Sequence, residues 1–238
     1  MTWLAPLLHG LWAFHIVRGE LNQALTHAEE METLGKTRGN LSALLLGKHE
    51  RGRICLHRGE FTTARALFEQ CNALREPAHR AVLAAWVVQD RHIYNLGELG
   101  LTLALQGYIE RGGMRLNEAL TEARELKHPL TLVVALNEAA AFENIFGSPD
   151  RARRYAEELA AFSREQGFPY WAATADTYRG RSLCALGHLE EGLHFITKGL
   201  LMYRATGAQI GVSSCLTEQA AAYGALDRPL ADLMHADA

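Results

Sequence analysis

Eleven histidines, four cysteines and a set of spaced glutamates are the residues whose types could carry chemistry in this chain of 238 residues. The metal reading fails on spacing. His49-Glu50 is followed by Arg51-Gly52-Arg53, so the second histidine that a zinc-binding helix places four residues on is missing. His9 with His15, and His188 with His194, stand six apart, on different sides of a helix. Nucleophilic chemistry fares no better: Ser213-Ser214-Cys215 lies in a helix-like run without an evident base, and no Gly-x-Ser-x-Gly turn occurs. Gly47-Lys48 has the ending of a phosphate-binding loop, but His49 follows it and Ser42 stands where the first glycine belongs. Gly97-Glu-Leu-Gly100 lacks the dinucleotide-binding glycine pattern. Trp12, Phe14, Trp86, Tyr94 and Trp171 read as core or groove wall. The expectation is a protein that is not an enzyme and uses no metal and no cofactor.

The remaining chemistry is recognition, and a register in the chain orders it. Glycines recur at 19, 59, 107, 147 and 187, in steps of 40, 48, 40 and 40. Nine residues before these glycines stand Glu50, Glu98 and Glu138, with Tyr178 in the fifth copy and Gly10 in the first. Ten before stand His9, His49 and Asn137; six before, Arg53 and Arg181; two before, His57. An acidic ladder flanked by histidine and arginine favours a basic or mixed-charge peptide. The competing reading leaves these residues solvated on helix surfaces.

The elements that position this ladder follow from the same glycines. Gly180, Gly187 and Gly192 set a spacing of seven and then five, repeated in Gly52, Gly59, Ala64 and in Ala140, Gly147, Ala152. A small residue before the turn and another after it notch two helices, so that their backbones approach closely. Each copy is a hairpin too small to make its own core, so copies stack on one another. The units run over 4–38, 41–76, 79–128, 130–167 and 169–207, with a partial unit at 209–238, all in one repeat domain. Gly35 to Asn40 is expected to end the first unit, Arg111-Gly112-Gly113 to break the third, and Ser148-Pro149-Asp150 to start a helix on a serine cap. Glu29, Glu30 and Glu32 are expected in solvent. The eight residues by which the third copy is longer fall in a loop or extra helical turn within 76–92.

Composition narrows the partners. A formal charge of -3, with no long block of either sign, speaks against a phosphate-bound nucleic acid. No apolar run approaches a membrane span, and no basic residue precedes Arg18 as a secretory leader requires. Cys55, Cys71, Cys184 and Cys215 form no close pair, which suits reduced, mostly buried thiols in the cytoplasm.

The Gly-x6-Gly-x4-small core resembles the tetratricopeptide repeat. Leu11-Trp12-Ala-Phe-His-Ile-Val-Arg-Gly-Glu20, Gly167-Phe-Pro-Tyr-Trp171, Gly199-Leu-Leu-Met-Tyr-Arg-Ala-Thr-Gly207 and Ala221-Ala-Tyr-Gly224 are similar to the C-terminal repeats of bacterial signal-transduction ATPases and class III nucleotide cyclases. The resemblance implies an all-α, right-handed superhelical solenoid. It puts His49, Glu50, Arg53, His57, Glu98, Asn137, Glu138, Tyr178 and Arg181 on the concave groove, with neighbouring glutamates about 10 Å apart. It implies a protein or peptide partner, or an ATPase or cyclase domain of a parent protein, and a role as an interaction or sensing module. A small-molecule sensor whose ligand changes the curvature of the stack is the alternative. Neither ATPase nor cyclase activity carries over, because neither motif is present.

Overall fold

The computed structural model of the chain describes residues 3–226. Every regular element among them is helical. In order these are α1 (Leu4–Val17), α2 (Leu21–Arg38), α3 (Leu41–His57), α4 (Phe61–Gln70), a 3-10 turn (Asn72–Arg75), α5 (Pro77–Ala84) and α6 (Arg91–Leu105). Then follow α7 (Ile109–Leu126), α8 (Pro129–Phe146), α9 (Pro149–Glu165), α10 (Pro169–Ala185), α11 (Leu189–Ala205) and α12 (Val212–Ala225). The chain is all-α, as its periodicity implies. Residues 227–238 of the expected partial unit lie outside the described residues. Contacts divide the chain into two compact units, one reaching to Ala135 and one starting at Leu136, with the boundary inside α8.

In the first unit α1 packs on α2, α2 on α3, α3 on α4 and α6 on α7, while α4 reaches past the short α5 to pack on α6. The crossings fall at the small residues. A Cβ added at Gly52 would lie 2.7 Å from the Phe68 ring, and one at Gly100 would lie 2.8 Å from the Gly112 carbonyl oxygen. Met31, Leu45, Leu46, Leu74 and Leu83 form one apolar cluster, and Leu67, Phe68, Leu99 and Leu103 a second. Fully burying each such side chain contributes about 1.5–3 kcal/mol.

In the second unit α10 packs between α9 and α11, and α12 closes on α11. Here a Cβ at Gly180 would meet the Gly192 carbonyl oxygen at 2.6 Å. At the turn, Gly187 takes φ +88°, the left-handed region that a Cβ disfavours, as Gly59 does at +77° in the first unit. Gly147 holds the same place in the register without that conformation.

Three local expectations are corrected, and the first unit ends within 35–40 as expected. α7 runs unbroken through Gly112 and Gly113, because Gly112 faces the backbone of Gly100 and Ala104 rather than a turn. α2 likewise runs through Gly35, which lies against the Leu44 backbone, and it stops at Gly39, φ +62°; Asn40 then caps α3 by accepting from the Ala43 N–H at 3.0 Å. Ser148 makes no side-chain cap; its own N–H donates to Glu143 Oε2 at 3.1 Å, and Pro149 starts α9. Glu32 is buried, 3.1 Å from Arg51 Nε across the α2–α3 contact and 3.6 Å from Lys36. The extra length in the third copy forms α5 and the loop after it, and Asp90 caps α6 by accepting from Ile93 N–H at 3.0 Å.

Candidate functional site

In the first unit α1, α3 and α6, the first helices of three successive copies, gather charged and aromatic side chains into one connected cluster. Helical spacing does this locally: His9 and Trp12 share a face of α1, His49, Glu50 and Arg53 a side of α3, and Arg91, Tyr94 and Glu98 a stripe of α6. Glu50 is fully buried and joins all three helices. Its Oε1 is 2.5 Å from His9 Nδ1 and 3.7 Å from Arg91 Nη2, and the same Nη2 is 3.2 Å from His9 Nε2. Nη2 is also 3.3 Å from His9 Nδ1, so the Arg91 guanidinium lies alongside the imidazole rather than on one of its nitrogens.

One turn along, Arg53 donates from Nε to Glu98 Oε1 at 2.6 Å. Its guanidinium carbon is 5.3 Å from the Trp12 ring centroid and 4.7 Å from that of Tyr94, within cation–π range of both. Burial pushes the Glu98 carboxyl up, and Arg53 draws it back. His49 sits between rings, 5.7 Å from Phe68 and 5.5 Å from Tyr94. Loss of solvent, then the charges of Arg91 and Arg53, hold its pKa well below the usual histidine value, so it is neutral at pH 7. Neither His49 nitrogen forms a hydrogen bond, nor do Glu50 Oε2, Arg91 Nε and Nη1, or Trp12 Nε1.

The nine residues expected on a groove are therefore placed unequally. His49, Glu50, Glu98 and Glu138 are buried; Arg53, Asn137, Tyr178 and Arg181 are half-buried; His57 is exposed in the last turn of α3. The glutamates are not solvated helix surface. In the second unit Asn137 Nδ2 is 3.2 Å from Glu138 Oε1, and the Tyr178 hydroxyl is pushed up by burial and by the Glu138 carboxylate. Arg181 Nη2 is 3.0 Å from Glu218 Oε1.

Sequence reasoning missed three partners. Glu218 carried a signal: it stands nine residues before position 227, which is 40 beyond Gly187. The Arg53–Glu98 and Arg181–Glu218 pairs thus share one rule, an arginine six before the turn reaching a glutamate nine before the next. Arg91 and Asp176 carried none. The places corresponding to Arg91 hold Trp3, Ala43, Thr131 and Trp171, so no second arginine marks it. Asp176, fully buried on α10, takes Arg164 Nη2 at 2.6 Å and Lys198 Nζ at 3.2 Å.

Among the described residues no group of three or more His, Cys, Asp or Glu is placed to hold a metal ion, and no helix is long and apolar enough to cross a membrane. No protein-family model matches this chain, and no curated protein matches it.

Proposed function

We propose that the chain is a non-catalytic interaction or sensing module of a cytoplasmic bacterial signalling protein. Its hairpins are of tetratricopeptide type and stack with the right-handed turn of that repeat. It grips a peptide or partner domain along its first helices. The observation that carries this reading is the linked cluster in the first unit, in which Glu50 of α3 meets His9 of α1 and Arg91 of α6, and Arg53 of α3 meets Glu98 of α6 beside the Trp12 and Tyr94 rings. Arg53, half-buried near the Trp12 and Tyr94 rings and tied to Glu98, and the exposed His57 one turn on are side chains there that a partner can reach. Thiolate chemistry at two of the cysteines is disfavoured: burial pushes Cys55 up to about 11 and Cys71 up to about 12, which leaves both protonated at neutral pH.

A second reading, a small-molecule sensor, is favoured by the buried polar atoms of His49, Glu50, Arg91 and Trp12 that lack partners in the protein. One experiment separates the two. Labelled basic, acidic and mixed-charge peptides are titrated against the whole chain, and its thermal unfolding is followed with a panel of small polar metabolites. Saturable peptide binding that weakens in Arg53→Gln and His57→Ala supports the module. A metabolite-dependent rise in Tm without peptide binding transfers the assignment to the sensor, and a blank in both arms removes both.

A further inference from the structure

α5 is the element that the repeat register does not require. From α2 to α3 and from α7 to α8 the chain passes in two residues, and from α9 to α10 in three. Between α4 and α6 it takes twenty, from Cys71 through Asp90, and winds eight of them into α5. Among the described elements α5 touches only α3, α6 and the 3-10 turn. Leu83 is its one buried residue. With Val87 from the loop beyond, Leu83 joins Leu45, Leu46, Cys71 and Leu74 in one apolar group, and Trp86 packs partly buried against it. Val82 and Val88 turn outward. An isolated helix this short does not hold itself in water, so these contacts and a few polar ones keep it seated. Ser42 Oγ lies 3.0 Å from His79 Nδ1, and Arg80 reaches Asp90 Oδ2 at 2.8 Å and Glu122 Oε2 at 3.4 Å. Arg80 and Glu122 both reach solvent, where such pairs are weak.

The seat of α5 adjoins the buried cluster. Leu45 and Leu46 stand one turn before His49 and Glu50 on α3, and Leu8, in the same apolar group, precedes His9 on α1. The loop beyond α5 ends on Asp90, the cap of α6 and the neighbour of Arg91. Closure here leaves polar atoms unpaired: Glu50 Oε2 and Arg91 Nε and Nη1 are buried without a hydrogen bond. Opening lets water pair them, which favours the open state.

We propose, on the reading that this cluster is the binding site, that α5 is its lid: α5 and its loop lift from α3 while α3, α4, α6 and α7 stay folded, and a polar ligand then reaches Glu50 and Arg91. Few buried apolar contacts and polar ties at the solvent edge mark a segment that opens locally. Cys71 reports the motion. It is 0% exposed in the group with Leu83 and Val87, and burial keeps its thiol protonated. Cys55 is buried too, but beside Leu67, Phe68, Leu99 and Leu103, in a group that α5 does not enter.

Alkylation of the native chain by N-ethylmaleimide, with mass spectrometry locating the label, compares the two thiols from zero to sub-denaturing urea. Cys71 is expected to react at least tenfold faster than Cys55, at a rate that urea barely changes, because lifting α5 exposes little surface. Leu83→Ala should speed Cys71 at least tenfold and leave Cys55 unchanged, and Leu103→Ala should do the reverse. Carbodiimide coupling of glycinamide reads the cluster itself, and Glu50 should be modified in step with Cys71. Equal rates at the two thiols, rising together with urea or in Leu83→Ala, overturn the lid, since Cys71 would then open only when the whole unit unfolds. A Glu50 that stays unmodified while Cys71 reacts overturns it as well. No ligand enters this experiment, so its failure leaves the binding role to the peptide and metabolite titrations, and a blank in those would remove the cluster's role without touching the motion.

Discussion

Arg53 Nε meets Glu98 Oε1 at 2.6 Å and so ties α3 to α6 between successive copies of the repeat. The same offset in the register brings Arg181 Nη2 to 3.0 Å from Glu218 Oε1, between α10 and α12. Geometry is shared, but environment is not. Glu98 is buried, while Glu218 keeps 33% of its side-chain surface and Arg181 keeps 21%.

That contrast gives the first prediction. Arg53→Gln removes the ion pair from a buried carboxylate and should cost about 3 kcal/mol in urea unfolding, with Glu98→Gln costing less. The double variant should fall short of the sum by more than about 0.5 kcal/mol, since the two groups act as a pair. Arg181→Gln, where both partners reach water, should cost at most about 1 kcal/mol. Equal losses at the two sites would show that burial does not set the strength of the clip.

His49 predicts an acid sensitivity. Its pKa lies near 6.5 in the unfolded chain and well below that in the fold, pushed down by burial and then by Arg91, Arg53 and His9. Below pH 6.5 the unfolded chain therefore binds a proton that the folded chain refuses, and stability falls as pH falls. The slope from this group approaches about 1.4 kcal/mol per pH unit until the folded pKa is reached. His49→Phe keeps a ring beside Phe68 and Tyr94 but removes the proton. Urea unfolding from pH 7 to 5 should show a shallower decline in that variant, and an unchanged slope would place the proton uptake elsewhere.

The register made the hairpins legible, because turn glycines and crossing residues obey spacing alone. Gly52, Gly100 and Gly180 all cross a neighbouring helix where the sequence puts them. Gly112 misled for a physical reason: glycine serves a tight turn and a close helix contact equally well, and only the partner helix tells which. The site was half legible. Repeat position picked out His9, Glu50, Glu98 and Arg53, but not that Arg91 of α6 would help to bury Glu50, because no repeated residue type marks Arg91. Likewise the sequence shows Glu32 among acids on a polar helix, and only the approach of α3 with Arg51 explains its burial.

Gly112 carries the third prediction. If it were a loop breaker, Gly112→Ala would be harmless. Within α7 its Cβ would press on the Gly100 carbonyl oxygen and come 3.1 Å from the Ala104 side chain, so the helices must part. The expected loss is about 1–3 kcal/mol, despite alanine's better helix propensity. Chemical denaturation reads this directly, and a stabilised variant would mean that α6 and α7 are less tightly crossed than the structure has them.

The last prediction concerns Asp176, whose carboxylate is wholly buried on α10 between Arg164 of α9 and Lys198 of α11, both of them nearly half-exposed. Asymmetry of burial decides the outcome. Removing either cation leaves the carboxylate with the other, so Arg164→Ala or Lys198→Ala alone should cost about 1 kcal/mol. Removing both strands a buried charge, and the double variant should lose about 3–5 kcal/mol, more than the two singles together. Asp176→Asn in that double background should then recover stability, because the neutral amide needs no counter-charge. Urea midpoints of the wild type and the four variants test the ordering, and additive losses without rescue would show that the two cations act independently of Asp176.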